Sequence, residues 1–257
     1  MSNHLKLFIG HKPPDFGVWP GFTYASQQGG DFPLPTDTTL DQITSNVLSE
    51  YLSLFMLRRK LEAEGITEGH ITICQHRRFV LNAAMGEKAV NLPSTQMINA
   101  ETAAGLDPVL LMPIAGDYLI GSPLVLGTSI LNQYHVHHPL RDLLRFLSDL
   151  IDAQLIGAAD AHNLLNMNVL IPVPGCGVFP IKTFLKIYAL LEKCTLAWHA
   201  SGYVPRTDYQ ARSTGFMLER LNSYLLICYL TEAGVDFEKA VGHTTVVSES
   251  NVLIPGR

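Results

Sequence analysis

Short apolar segments alternate with longer amphipathic ones over nearly the whole of this 257-residue chain. The short segments end at Gly, Pro or charged residues, as buried strands do, and the long ones repeat apolar residues at helical spacing. This alternation predicts an α/β/α sandwich with a mostly parallel central sheet. The predicted strands are residues 5–9, 70–74, 109–112 and 169–173, and the predicted helices are residues 40–60, 139–155, 180–195 and 213–231.

Composition narrows the class of protein further. Hydrophobic residues make up 47% of the chain and charged residues 16%, which excludes a disordered chain. The net charge of −5 argues against a nucleic-acid partner, because phosphate binding needs an excess of cations. No change in composition divides the chain, so we expect one domain over residues 1–257. Four isolated cysteines and apolar runs shorter than a membrane span indicate a reduced, cytoplasmic location.

Polar and cationic residues follow the first two predicted strands. His11 and Lys12 come after strand 5–9, and the run 75–78, which reads Gln-His-Arg-Arg, comes after strand 70–74. Ligands of parallel sheets bind beyond the carboxyl ends of strands, so these side chains are candidates for binding. The two arginines carry permanent charge and offer bidentate donors to phosphate or carboxylate. The alternative is a pair of surface arginines held by a salt bridge.

Three carboxylates are candidates for chemistry. Glu50 interrupts the apolar residues of helix 40–60, where a carboxylate needs a partner, so both a structural ion pair and a ligand contact are open. Asp208 precedes helix 213–231 and Glu219 lies within it, near an N-terminus that favours anions. Asp208 and Glu219 are the candidate general bases, and the sequence does not rank them.

Known catalytic and metal motifs are missing from the sequence. The chain contains no P-loop, no G-x-G-x-x-G, no G-x-S-x-G and no Asp-x-Asp at a predicted strand exit. His135, His137 and His138 lie close together, but zinc sites normally add cysteine or carboxylate ligands. A metal hydrolase built on these histidines is therefore an alternative, and no metal ligand is assigned.

Several short motifs follow one another along the chain. They are Ile9-Gly10-His11-Lys12, Asn46 to Tyr51, Gln75-His76-Arg77-Arg78-Phe79, Gln133-Tyr134 with His138, Asn166-Met167, Gln210-Ala211-Arg212 and Gly215 to Leu221. In this order they resemble the glycosyltransferases of capsular and exopolysaccharide loci that share an uncharacterised domain. That family has a GT-A-like, Rossmann-like fold and includes galactofuranosyltransferase-type members. It has His-Tyr where this chain has Gln75-His76.

The resemblance implies a hexosyltransferase of surface-polysaccharide synthesis. Its partners are a nucleotide-diphosphate sugar, with UDP expected, and a glycan or lipid-linked acceptor, with peripheral contact to membrane-bound assembly machinery. Arginines at the strand exit in place of Asp-x-Asp predict no divalent metal and no other cofactor. A non-catalytic nucleotide-sugar or glycan-binding module of the same fold is the alternative. The candidate substrate-binding residues are His11, Lys12, Asp41, Asn46, Glu50, Gln75, His76, Arg77, Arg78, His138, Asn166, Gln210, Arg212 and Arg220.

Overall fold

The computed structural model describes residues 4–41, 43 and 45–249 of the chain. Within these residues most strands join one large sheet. The strands are β1 His4–Ile9, β2 Thr23–Ser26, β3 Phe32–Pro33, β4 His70–Gln75, β5 Arg78–Leu81, β6 Glu87–Ala89, β7 Leu92–Ile98, β8 Leu119–Ile120, β9 Leu124–Val125, β10 Val169–Leu170, β11 Gly177–Pro180 and β12 His243–Val247.

Helices cover the sheet, and two short 3-10 turns, Pro108–Leu111 and Asp208–Arg212, connect elements. None of the helices in the described residues is both long and apolar enough to span a membrane. The helices are α1 Thr38–Asp41, α2 Ser45–Leu48, α3 Tyr51–Ala63, α4 Ala100–Ala104, α5 Ile130–His137, α6 Leu140–Asp152, α7 Ala158–Asn166, α8 Ile181–Ala200, α9 Ser213–Glu232 and α10 Phe237–Ala240.

The predicted fold class, α/β with a mostly parallel central sheet, is confirmed. The strands lie in the order β3-β2-β1-β4-β5-β12-β7-β6, and β11 pairs with both β4 and β8. Strands β1, β2, β3, β4, β7, β8 and β12 run in one direction, whereas β5, β6 and β11 run against them. The full lengths of β1 and β4 are paired in parallel, from His4 with His70 to Ile9 with Gln75. Their carboxyl ends therefore lie side by side.

Both faces of the sheet are buried towards the carboxyl ends of its central strands, where apolar residues follow one another: Leu7 to Ile9 in β1, and Ile73 and Cys74 in β4. Leu7 and Ile9 of β1 point into a large core that also contains residues of α3, α6, α8 and α9. Phe8, between them, points to the other face and packs against Trp19 and Phe79 in a second cluster. The period-two alternation of β1 thus supplies both cores.

Strand β11 forms a wedge between β4 and β8. Gly177 begins this wedge and pairs with Ile73 on one side and Ile120 on the other. Its φ of +132° is a conformation that favours glycine, and a Cβ there would overlap the carbonyl oxygen of Leu119. The antiparallel wedge needs glycine at this point, because two strands close on it from both sides.

Three predicted elements differ from the structure. Residues 109–112 are not a strand: Asp107 caps a 3-10 turn by accepting a hydrogen bond from the Val109 amide (2.9 Å), and Pro108 suits its first position. The range predicted as one helix over 40–60 contains the separate helices α2 and α3, and Ser49, with a φ of +56°, lies between them. The strand predicted over 169–173 ends at Leu170 and pairs outside the large sheet.

Residues 13–38 contain two strands, β2 and β3, that are not among the strands predicted from the sequence. Both strands extend the parallel half of the sheet beyond β1. The segment is rich in Pro and Gly and its strands are short, so neither gives an apolar run that sequence patterns detect.

Candidate active site

Two adjoining clefts open at the end of the sheet where β1 and β4 finish. The β1 cleft, of about 880 Å³, is lined by the carboxyl ends of β1, β2 and β4 and by part of the 208–212 turn. The β12 cleft, of about 700 Å³, lies between β7, β12 and α9. The residues common to both linings form what we call the shared wall: Ser49, Glu50, Arg77, Arg78 and Arg212.

The arginines of the shared wall are positioned by a tight hairpin. Gln75 at the end of β4 pairs with Arg78 at the start of β5, so His76 and Arg77 form the turn. The Arg77 carbonyl accepts a hydrogen bond from the Val247 amide of β12 (2.9 Å), and Arg78 pairs with Val246. The polar residues predicted to follow β4 therefore form a tight turn, which hydrogen bonds to β12 hold in position. The turn places the guanidinium groups of Arg77 and Arg78 in the shared wall.

The shared wall concentrates positive charge. Burial lowers the pKa of Arg77, and the adjacent charge of Arg78 lowers it further. Arg212 donates a hydrogen bond from Nη2 to Oγ of Ser49 (2.8 Å) and lies over the Phe216 ring at 5.6 Å. Among the described residues no salt bridge engages Arg78 or Arg212. This is an arrangement that favours a bound anion.

Neutral polar groups line the β1 cleft beside this charge. Burial lowers the pKa of His76 to about 4, with contributions from Arg77 and His11, so its imidazole is neutral at pH 7. The His11 and His76 rings lie 5.5 Å apart. Gln75 is 7% exposed, and its Nε2 is buried with no hydrogen-bond partner within the described structure. A buried amide group without a partner thus lies next to the cationic turn.

Carboxylates and a buried arginine line the β12 cleft. Glu219 and Arg220 follow each other on α9, with 3.2 Å between Oε2 and Nη1. Burial raises the pKa of Glu219; Arg220 opposes this and Glu50 adds to it. Arg220 is 3% exposed and also donates to the Phe216 carbonyl (2.8 Å) and to Gln133 Oε1 (3.0 Å). A carboxyl whose pKa is raised in a cleft is suited to proton transfer.

His138 and Gln210 support one side of the β12 cleft. His138 is buried, stacks on Phe216 with ring centroids 4.2 Å apart, and has its Nδ1 3.2 Å from Gln210 Oε1. Burial lowers the pKa of His138 to about 4, with a smaller contribution from Arg220. Gln210 lines neither cleft and donates instead to the His137 carbonyl (3.1 Å).

Some predicted site residues lie outside the clefts. The Lys12 ammonium is bound to Asp15 at 2.9 Å and lines neither cleft. Asn166 is exposed at the end of α7, where its amide donates to the His162 carbonyl (2.8 Å). Asp208, by contrast, does line the β1 cleft, and its side chain is exposed. The side chains of Asp41 and Asn46 lie outside the described part of the chain.

The histidine cluster considered for a metal is not gathered around one point. His138 is buried, whereas His135 and His137 are exposed. Groups of three His, Cys, Asp or Glu side chains able to hold a metal are absent from the residues that the structure describes. The metal-hydrolase alternative therefore lacks its ligand cluster there.

Sequence reasoning missed the floor of the β12 cleft. Thr95 of β7 and Thr244 of β12 lie opposite each other in the parallel register and line the cleft. Residues 92–98, which form β7, read LPSTQMI, with Pro and three polar residues, so the segment gives no strand signal. The only sequence signal for the strands of this floor was the short apolar end of β12.

Fold, wall and clefts together define a GT-A-like α/β protein with an anion-favouring site at the end of its sheet. No protein-family model matches the chain, and no curated protein sequence matches it significantly. A solved apo structure of the WbbM bifunctional glycosyltransferase is similar, with a TM-score of 0.73 and 12% sequence identity. The similarity covers 99% of this chain and 48% of that chain, so this chain spans about half the length of WbbM. At this identity the likeness concerns the fold.

Proposed function

We propose that this chain is a glycosyltransferase that transfers a hexose from a nucleotide-diphosphate sugar, with UDP as the nucleotide, to a glycan or lipid-linked acceptor in surface-polysaccharide synthesis. The observation that carries the proposal is the convergence of Arg77, Arg78 and Arg212 on the wall between two clefts. Sugar transfer needs a cationic group at the diphosphate of the donor, because negative charge develops on this diphosphate as it departs. The fold shared with WbbM supports the same class.

In this proposal the β1 cleft binds the nucleotide. Its position beyond the carboxyl ends of β1 and β4 is where parallel sheets bind ligands. Gln75 lies among the lining residues of this cleft, and its buried Nε2 has no hydrogen-bond partner among the described residues. The guanidinium groups of Arg77 and Arg78 bind the diphosphate and take over the charge stabilisation that a metal ion gives in related chemistry.

Glu219 is the proposed base of an inverting transfer. Its carboxylate accepts the proton of the acceptor hydroxyl as that oxygen bonds to the anomeric carbon. The bond from this carbon to the phosphate oxygen breaks, and the diphosphate leaves with the electron pair, stabilised by the arginines. Glu219 is favoured over Asp208 because it lines the β12 cleft, beside the cleft assigned to the nucleotide, and because burial raises its pKa.

Calorimetric titration of UDP and UDP-hexoses, with and without EDTA, tests the donor half of the proposal. We expect binding that EDTA leaves unchanged, and a thermal shift that corresponds to about 2.7 kcal/mol when the ligand is at a hundred times its Kd. Binding that EDTA abolishes and Mg²⁺ or Mn²⁺ restores contradicts metal independence.

The base is tested by Glu219→Gln, with Asp208→Asn as the matched control. We expect Glu219→Gln to lower kcat by about 10²–10⁴-fold while the Kd for UDP stays the same, because the amide cannot accept the proton. The Asp208→Asn variant should keep kcat. Donor binding without transfer or hydrolysis in the unmodified protein would favour the non-catalytic binding module instead.

A further inference from the structure

Glu50 is the carboxylate of the shared wall, and it lies at the junction of the two clefts. The residue is half-buried and belongs to the linings of both the β1 cleft and the β12 cleft. Arg77, Arg78 and Arg212 belong to the same wall, yet none of the salt bridges in the described part of the chain includes Glu50. Carboxylates removed from water normally have a partner, so this one requires a reason.

The start of helix α3 does not supply that reason. Glu50 occupies the N-cap position of α3, where a side chain can accept hydrogen bonds from the first amides of a helix. Its side chain makes no such bond, and its backbone is helical, with φ of −68° and ψ of −20°. In the described structure Glu50 therefore acts neither as a helix cap nor in an ion pair, and its carboxylate borders the clefts instead.

The proposed donor brings its sugar to this position. With the nucleotide in the β1 cleft and the diphosphate on the arginines, the hexose lies between the shared wall and Glu219, the proposed base in the β12 cleft. Burial raises the pKa of Glu219 and the charge of Glu50 adds to this effect, so the two carboxylates lie within electrostatic range of each other. A hexose at the junction therefore has Glu50 beside it.

The charges of the shared wall determine which sugar fits there. Its three guanidinium groups and one carboxylate leave two positive charges, which a sugar diphosphate balances with one negative charge on each phosphate. Arg220, which also lines the β12 cleft, is bound to Glu219 (3.2 Å). An anionic group on the sugar would therefore meet Glu50 with no further arginine or lysine of the described linings to balance it. Hydroxyl groups, in contrast, can donate hydrogen bonds to a carboxylate.

We propose that Glu50 binds hydroxyl groups of the hexose that the donor carries, and that it selects a neutral hexose against a hexuronic acid. This inference rests on the proposed function, since it presupposes a sugar diphosphate on the arginines. Hydrogen bonds to an ionised acceptor are stronger than those between neutral groups, so the carboxylate contributes to the affinity for the sugar. A hexuronic acid brings a second carboxylate into the same space and is repelled.

Calorimetric titration of UDP and of matched UDP-sugars separates the contribution of the sugar from that of the nucleotide. UDP-glucose is compared with UDP-glucuronic acid, and UDP-galactose with UDP-galacturonic acid, because the members of each pair differ only at C6. The variant is Glu50→Gln, which removes the charge at nearly constant shape. Glu62→Gln is the matched control, because it removes a carboxylate of α3 that lies outside both cleft linings.

In the unmodified protein we expect at least one UDP-hexose to bind about tenfold or more tightly than its hexuronic acid counterpart. Glu50→Gln should lower the ratio of UDP-hexose affinity to UDP affinity by roughly three- to tenfold, because a neutral amide accepts weaker hydrogen bonds. The variant should also reduce the discrimination against the hexuronic acid. Affinity for UDP itself should stay the same or rise, and Glu62→Gln should change neither ratio. A purely structural role of Glu50 would instead alter UDP and UDP-hexose binding alike.

Two results overturn the inference: an unchanged ratio of UDP-hexose to UDP affinity in Glu50→Gln, or UDP-hexuronic acids that bind the unmodified protein as tightly as the UDP-hexoses. Either result leaves the proposed function in place if UDP binds and a hexose is transferred. The proposed function fails by a different result, the absence of binding by UDP and by all of the UDP-sugars, and the inference then fails with it.

Discussion

Two pairs of adjacent arginines occur in this molecule, and their surroundings are opposite. On α3, Arg58 and Arg59 both bind Glu192 of α8, with Nη2 to carboxylate oxygen distances of 2.8 Å and 2.6 Å. Arg58 also pairs with Glu62, and Arg59 pairs with Asp37. At the β4–β5 turn, Arg77 and Arg78 face two clefts, and no salt bridge within the described residues engages Arg78.

The difference distinguishes a pair of arginines that the chain's own carboxylates compensate from a pair that, in the proposed function, binds an anion. Glu192 is 5% exposed, and the charges of the α3 pair are compensated where the chain itself supplies the carboxylates. At the turn the chain brings two cations together, and the charge of Arg78 adds to the burial that lowers the pKa of Arg77. Such a site is stabilised when an external anion completes it.

Removing the carboxylate of the α3 pair should produce the largest effect. We expect Glu192→Gln to lower the free energy of unfolding by about 3–5 kcal/mol, because two partly buried guanidinium groups lose their counter-charge. Urea unfolding measures this, and UDP affinity under native conditions should stay the same. Glu62→Gln, which removes a more exposed partner of Arg58, is the control and should cost less than about 1 kcal/mol. Equal effects of the two variants would contradict this interpretation.

Removing an arginine of the turn should have the reverse profile. We expect Arg78→Ala to weaken UDP binding by about 1.5–3 kcal/mol, the contribution of a charge-assisted hydrogen bond, without lowering the free energy of unfolding. Calorimetry and urea unfolding of the same variant measure both. Arg78→Lys should recover only part of the affinity, since a point charge lacks the bidentate geometry of a guanidinium. A variant that loses stability but keeps its UDP affinity would place Arg78 with the structural pair.

The buried histidines predict how the stability of the fold depends on pH. The pKa values of His4, His76, His138 and His199 are lowered to about 4, in each case mainly by burial. The unfolded chain takes up these protons near pH 6.5 and the folded chain only near pH 4, so their contribution to stability is complete above about pH 6.5. We expect the melting temperature to fall as the pH is lowered from about 6.5 towards 4. A constant melting temperature over this range would contradict the lowered values.

The pKa of His76 is also a direct measure of the electrostatic effect of the arginines at the turn. Arg77 contributes to its low pKa, whereas burial alone lowers that of His199. In an NMR titration, Arg77→Gln should therefore raise the pKa of His76 and leave that of His199 unchanged. Parallel movement of both would indicate a general loosening of the fold.

The smallest effect is expected at an exposed pair. Lys12 and Asp15 are bound at 2.9 Å with side chains 44% and 78% exposed. We expect Lys12→Ala to change the free energy of unfolding by less than about 1 kcal/mol, because solvent screens such pairs. UDP affinity should change little, since Lys12 lines neither cleft. A tenfold loss of UDP affinity would move Lys12 into the donor site.

Local patterns sufficed for half of the site. The turn at 75–78 follows a short buried strand whose apolar residues are Ile71, Ile73 and Cys74, and both the strand and its polar exit lie within ten consecutive residues. The parallel pairing of β1 with β4 then follows from the alternation of strands and helices. The arginines were therefore identifiable from the sequence as neighbours of His11.

The other half depends on pairings between distant segments. Strand β12 enters the sheet between β5 and β7, and the threonine floor exists only because residue 244 meets residue 95. The break between α2 and α3 within the predicted 40–60 helix occurs at Ser49, whose positive φ a single serine in a helical pattern does not predict. The pairing of Arg212 with Ser49 joins segments 163 positions apart. No periodicity in either segment encodes these contacts.

The wedge strand sets a limit on how sequences of this architecture diverge. At Gly177 the backbone conformation disfavours side chains and the Leu119 carbonyl fills the space that a Cβ needs. Strands on both sides close the site, so no compensating change in a neighbouring side chain can open it. We therefore expect proteins that keep the wedge to retain this glycine, even where almost all of their remaining residues differ. At a sequence identity as low as 12%, such a position helps to align this chain with proteins of the same fold.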